Sequence, residues 1–177
     1  GYFPSVSAGW NFSEESFMKN LEWLSQGKLR AAWGEIGNQT ISSGAYMNTF
    51  GNGSYYLFGN PYQTNLYAGR TQVGNPDLKW ETTNKLNIGT DLQFWNERIS
   101  LNFDYYHNKT IDLITDVTLP SSSGFTSYKD NMGETLNEGF DIQVRFDVYK
   151  TKDWSVSLWG NLNHNTNKIL KVSDALR

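Results

Sequence analysis

Few residues in this sequence could do chemistry, and their spacing argues against it. His107 and His164 are the only imidazoles, and there is no cysteine. A hydrolytic triad needs a histidine beside an activated serine, and no motif places one next to either histidine. Both fall near expected strand ends and read as surface residues, so no catalytic residue is expected. Glu14-Glu15 follows Ser13 and suits the first turn of a short helix, where negative charge meets the helix dipole. Asp130, Asn131, Glu134 and Glu138 cluster like oxygen ligands but miss the spacing of a calcium loop, which leaves a solvated loop. No metal and no cofactor are expected. Asn-x-Ser/Thr triplets at Asn11, Asn38, Asn52 and Asn108 read as chance.

Binding is the more productive reading. Tyr55, Tyr56, Tyr62 and Tyr67 crowd one segment together with Phe50 and Phe58. Exposed aromatics stack on sugar rings or pack against a partner protein, although loop self-packing accounts for any single tyrosine slightly better. A second set is defined by periodicity. In KLNIGTDLQFWNERISLNFDYY (85–106), Leu86, Ile88, Leu92 and Phe94 share a parity, against Lys85, Asn87, Asp91 and Gln93. After Trp95-Asn96-Glu97-Arg98, Ile99, Leu101, Phe103 and Tyr105 oppose Ser100, Asn102, Asp104 and Tyr106. Period two means a strand with two unlike faces, and two such runs joined by four residues make a hairpin.

The same plan recurs on either side. Near the start, Val6, Ala8 and Trp10 alternate with Ser5, Ser7 and Gly9, and Gly27–Asn38 returns with Leu29, Ala31 and Trp33 against Lys28, Arg30 and Ala32. Between them, Ser13–Ser25 carries Phe17, Leu21 and Leu24 at helical spacing and is expected to be a short amphipathic helix. In the third hairpin, Phe140, Ile142, Val144, Phe146 and Val148 oppose Asp141, Gln143, Arg145 and Asp147 before the strand Trp154–Asn165. The wet face would then carry Lys85, Asn87, Asp91, Asn102, Asp104, Asp141, Gln143, Arg145 and Asp147.

The stretches between hairpins, roughly 39–79 and 109–138, are long and rich in Gly, Asn, Ser and Tyr, and are expected to be loops. Lys85–Trp95 is eleven residues, against about five or six for an ordinary strand. At about 3.3 Å per residue and a tilt of about 45° it spans on the order of 25 Å, the height of the apolar band of a membrane barrel. Trp10, Phe12, Phe94, Trp95, Tyr105, Tyr106, Tyr149 and Trp154 sit near strand ends, as interfacial girdles do. A water-soluble sandwich, such as a carbohydrate-binding module, also alternates and stays open on this evidence. A β-solenoid would need a fixed short period, and none is present.

Composition narrows the classes further. Of 177 residues, 15% are aromatic and 19% charged, with a net charge of −3, so a nucleic-acid partner has no electrostatic footprint. No apolar run is long enough for a membrane helix, which leaves barrel strands untouched. Gly1-Tyr2-Phe3-Pro4-Ser5 has neither the basic start nor the apolar stretch of a leader.

Several ordered motifs carry a resemblance. They are Phe3-Pro4-Ser5 with Gly9-Trp10, then Lys28–Gln39 (KLRAAWGEIGNQ), then Asn75–Thr83 (NPDLKWETT) followed by Asn87-Ile88-Gly89. Asp104-Tyr105-Tyr106, with Thr110, Asp112 and Leu113, follows. Leu119-Pro120, Ser123-Gly124-Phe125 and Asn137–Asp141 complete the set. Each is weak alone; in this order the chain resembles the SusC/RagA family of TonB-linked outer-membrane transporters. The resemblance implies an all-β, antiparallel, up-and-down transmembrane barrel of about 22 strands with a plugged lumen, of which residues 1–177 supply about six. It implies that the plug and the N-terminal regions lie outside this sequence. It also implies a Gram-negative outer membrane and import of glycans or peptides. The partners it implies are a SusD-like surface lipoprotein, and TonB with its inner-membrane motor acting through other regions.

Overall fold

In the computed structural model, residues 1–38, 44–58 and 63–172 are described, with backbone alone between 52 and 68. The strands are β1 (Ser5–Trp10), β2 (Leu24–Asn38), β3 (Thr49–Phe58), β4 (Gln63–Gln72), β5 (Glu81–Phe94), β6 (Ile99–Thr118), β7 (Ser127–Lys150) and β8 (Ser155–Lys171). Six of them form one antiparallel sheet in the order β1-β2-β5-β6-β7-β8, and β3 and β4 pair as a separate hairpin. Sequence neighbours are thus sheet neighbours, with the β3–β4 hairpin inserted between β2 and β5. Each of the six strands of the main sheet contains one of the alternating runs read from the sequence.

The chain divides into two compact units. The first comprises Gly1–Gly37, Thr83–Thr110 and Thr135–Ile169; the second comprises Asn38–Thr82, Ile111–Glu134 and Leu170–Arg177. In the first, register fixes the faces. Val6 pairs with Trp33, Ala8 with Ala31 and Trp10 with Leu29, while Ser7 meets Ala32 and Gly9 meets Arg30. Directly paired residues share a face, so β1 and β2 present one apolar and one small or polar side. Phe103 stacks on Phe140 at 6.3 Å, which carries the apolar side across β6 and β7. That side is not covered: Val6 is 65% exposed, Leu158 62% and Ile88 46%. Among the described residues the only buried apolar side chains are Ala45 and Val117. A sandwich would press its oily faces together, so the water-soluble alternative loses its physical basis here.

Two expectations need correction. Ser13–Ser25 is not an α-helix: a three-residue 310 helix at Phe12–Glu14 is followed by tight turns. The bonds Glu15 N–H to Phe12 O, Met18 N–H to Glu15 O, Leu21 N–H to Met18 O and Leu24 N–H to Leu21 O step by three residues and never by four. The expected helix rested on Phe17, Leu21 and Leu24, whereas the bonded turns step through Met18, Leu21 and Leu24, and β2 begins early, at Leu24. The long connections are also largely strand. β6 and β7 run 20 and 24 residues, which leaves Leu119–Thr126 between them, and β3–β4 occupies most of the other connection. Tyr105 and Tyr106 therefore lie inside β6.

Aromatics collect at the turn end of the first unit. Trp10 lies 6.0 Å from Phe12 and 6.5 Å from Phe17, and its indole N–H donates to Glu15 at 3.1 Å. Trp23 stacks on Phe94 at 5.7 Å, with Trp95 6.0 Å from Phe94. The β5–β6 turn places Trp95, Asn96 and Glu97 at φ of 50°, 54° and 66°. Such left-handed non-glycine residues are strained and must be held. The Trp95 N–H donates to Trp23 O at 2.9 Å and the Glu97 N–H to Ser25 Oγ at 3.4 Å.

Candidate functional site

The polar face of the first unit is built by alternate residues of β1, β2 and β5–β8. At its centre Arg30 bridges two carboxylates. Its Nε and Nη2 donate to the two Asp91 oxygens, both at 2.9 Å, and Nη2 also reaches Asp104 at 3.0 and 3.2 Å. A two-pronged guanidinium fits this arrangement in a way an ammonium would not. Gly89 makes room for it. A Cβ there would overlap Asp104 Oδ1 and come within 2.9 Å of Arg30 Nη2.

Beside this network, Asn102, Asp104, Asp141, Gln143, Asn161 and Asn163 line a depression of about 280 Å³. Asn163 Nδ2 donates to Asp141. Nearer the turn, Arg145 Nε donates to Asp147 at 3.0 Å and Ser157 Oγ donates to the same carboxylate at 2.6 Å. Lys85 and Asn87 line a separate groove of about 450 Å³ with Ser5, Ser7, Ala32 and Gly34. A further groove of about 390 Å³, lined by Asn87 with Arg30, Gly89 and Asp104, joins this one to the arginine network. Arg30, Asn161, Asn163 and Trp159 belong to the polar face and were not singled out from the sequence, although their parity marks them. Trp159 is 72% exposed and offers a flat aromatic surface among amides.

Neither histidine lies on that face. His107 Nδ1 is 3.3 Å from Glu138 Oε2, and Lys168 Nζ donates to Glu138 Oε1 at 2.6 Å. His164 packs on the Phe140 ring at 5.5 Å. Both share the parity of the apolar residues, and the His107–Glu138–Lys168 cluster sits where the oily run of β6 and β7 stops. Among the described residues no group of three or more ligating side chains could hold a metal ion.

In the second unit the NPDLKWE segment is a clasp. Asn75 Nδ2 donates to Lys129 O at 3.2 Å and Asp130 Oδ1 at 3.0 Å, while its Oδ1 accepts the Asp77 N–H at 3.0 Å. Asn131 imitates a strand partner. It accepts the Lys79 N–H at 2.7 Å and donates to Lys79 O at 2.9 Å and Asp112 O at 2.6 Å, the last a residue at φ 55°. Glu81 accepts from Asn38 Nδ2 at 2.8 Å and from the Ile114 N–H at 3.0 Å. Gly74 cannot carry a Cβ, because the Met47 backbone occupies that space. The Tyr128 hydroxyl donates to Asp130 at 3.2 Å, and burial together with that carboxylate raises its pKa. Asp130 and Asn131, weighed above as calcium ligands, are thus spent on backbone and tyrosine. Tyr55 and Tyr56 belong to β3 and Tyr67 to β4. Tyr62 and all four side chains lie outside the described residues.

An antiparallel sheet of long strands, wet on one face and uncovered and oily on the other, defines a segment of transmembrane β-barrel wall. Its polar face holds amides, carboxylates and the guanidiniums of Arg30 and Arg145. The chain belongs to the TonB dependent receptor-like, beta-barrel family, which matches residues 1–175. It is 37% identical over 171 residues to TonB-dependent receptor P26 of Formosa agariphila, covering 97% of this chain and 17% of that protein. It is 36% identical over 178 residues to TonB-dependent receptor SusC of Bacteroides thetaiotaomicron, covering 98% and 17%. The fold superposes on the RagAB peptide importer in its open-open state with a TM-score of 0.84 at 30% identity, covering 97% of this chain and 18% of that one. The chain thus spans about a sixth of the length of its relatives, which are transporters and receptors of Gram-negative outer membranes and not enzymes.

Proposed function

We propose that this chain is a stretch of the barrel wall of an outer-membrane importer for glycans or peptides. Its polar face lines the lumen and its apolar face meets lipid. The observation that carries the reading is the division of one sheet into an uncovered oily side and a side of hydrogen-bonding groups. Asn102, Asp141, Gln143, Asn161 and Asn163 suit hydroxyl- and amide-rich cargo, since each offers donors or acceptors without committing to one geometry. TonB and its inner-membrane motor act through other regions of the protein, and a SusD-like lipoprotein is the surface partner. Tyr55, Tyr56, Tyr62 and Tyr67 then belong to the hairpin region that meets cargo or lipoprotein.

Spin labels on the full-length protein in lipid vesicles test the two faces. Labels at Ile88 and Leu101 should respond to oxygen dissolved in the bilayer, and labels at Asn87 and Asn102 to a water-soluble nickel chelate. The reverse pattern, or protection from both reagents at Ile88 and Leu101, would overturn the assignment. For transport, cells depending on this protein should stop taking up their oligosaccharide or oligopeptide when TonB is disabled. Undiminished uptake would contradict the importer reading.

A further inference from the structure

At the turn end of the first unit, Glu22, Trp95, Asn96, Arg98, Ile99 and Phe146 line a groove of about 530 Å³. Its composition is unlike the rest of the molecule. Ile99 and Phe146 are residues of the apolar face, with Phe146 42% exposed, and Trp95 is 56% exposed. Arg98 and Glu22 are both exposed. On the polar face Arg30 is paired with Asp91 and Arg145 with Asp147. The side chains of Arg98 and Glu22 form no hydrogen bond or ion pair among the described residues, although they line one groove. The Arg98 backbone is fixed: its N–H donates to Trp95 O at 3.3 Å and its carbonyl accepts the Asp147 N–H at 2.8 Å.

We propose that this groove binds the headgroup of a phospholipid bearing both a phosphate and a primary amine, of which phosphatidylethanolamine is the simplest. The proposal rests on the membrane reading above. Short turns of outer-membrane barrels face the periplasm, so the groove opens to the periplasmic leaflet, at the depth where tryptophan side chains concentrate. The Arg98 guanidinium takes the phosphate through paired N–H donors. The Glu22 carboxylate takes the ammonium. Ile99 and Phe146 carry the first carbons of the acyl chains, and Trp95 covers the ester level. A purely anionic headgroup would meet Glu22 unfavourably, so charge complementarity selects the zwitterion.

The test uses the full-length transporter, purified in mild detergent, exposed to equal amounts of phosphatidylethanolamine and phosphatidylglycerol, and read by native mass spectrometry. Wild type should retain the amine lipid about tenfold over the glycerol lipid, the size of one lost charge-assisted hydrogen bond. Glu22→Gln should erase the preference while total retained lipid stays the same. Arg98→Gln should lower retention of both lipids, and Arg98→Lys should restore part of it. Retention of both lipids in the proportion supplied, or a preference that survives Glu22→Gln, would overturn the headgroup assignment and leave the barrel reading intact. Recovery of wild type with no lipid at all would likewise overturn the headgroup assignment alone. Heat-modifiable migration on gels checks that each variant is folded.

Discussion

Val144→Arg tests the two-faced wall most sharply. The oily run of β7 extends from Phe140 to Val148, eight steps along the strand. At about 3.3 Å per step and a tilt of about 45°, that is roughly 19 Å of bilayer, with Val144 about 10 Å from either end. Val144 is 39% exposed with no protein layer over its face. An arginine there sits near the midplane, where the cost in a barrel wall is about 2–4 kcal/mol. Val148→Arg, at the edge of the band, should cost about 0–1 kcal/mol on the same scale. Gln143→Arg points to the wet side and should stay within about 0.5 kcal/mol of wild type. Urea unfolding of the full-length protein in lipid vesicles, followed by tryptophan fluorescence, measures all three. Equal costs at 143 and 144, or a larger cost at 148 than at 144, would refute the reasoning, because only a depth-graded apolar solvent orders them this way.

Three further outcomes are expected. Arg30→Met should destabilise by about 1–2 kcal/mol, kept low because the three side chains are partly solvated, and Asp104→Asn should cost less in that background than in wild type. Additive effects in the double-mutant cycle would show that the bridge carries no coupling. Asn131→Ala should speed hydrogen exchange in peptides covering 75–82 about tenfold or more, since it strands the Lys79 N–H and carbonyl. Unchanged protection would remove the clasp. Residues 1–177 expressed alone should not insert as a monomer, because β1 and β8 end the strand order and an unpaired edge in lipid costs several kcal/mol per group. A cooperative, monomeric membrane fold would contradict this.

The sheet was legible because its two solvents leave a period-two record. Val144 and Gln143 differ in type as residues facing different media would, and each strand of the main sheet has such a run. Past these runs the record vanishes. That is why the ends of β6 and β7, through Asn108-Lys109-Thr110 and Tyr128–Asn131, read as loops. The turn chain at 12–23 failed for a different reason. Phe17, Leu21 and Leu24 stand four and three residues apart, which fits a helical face, yet the backbone bonds there close over three residues only. Parity assigned each wet-face residue to its face but could not supply partners. Arg30 and Asp91 are 61 residues apart, and Asn131 and Lys79 are 52 apart. Pairings of that range follow from strand order, which alternation does not encode.

Among the described residues, Ala45 and Val117 are the only apolar side chains hidden from solvent. A wall with so little interior of its own has its two surfaces decoupled. On the importer reading proposed above, even-numbered positions of β7 between Phe140 and Val148 answer to the bilayer, and the odd-numbered ones between them answer to whatever passes by. Selectivity can therefore be rewritten on one register of the strand while membrane anchoring, set by the other, is left as it was.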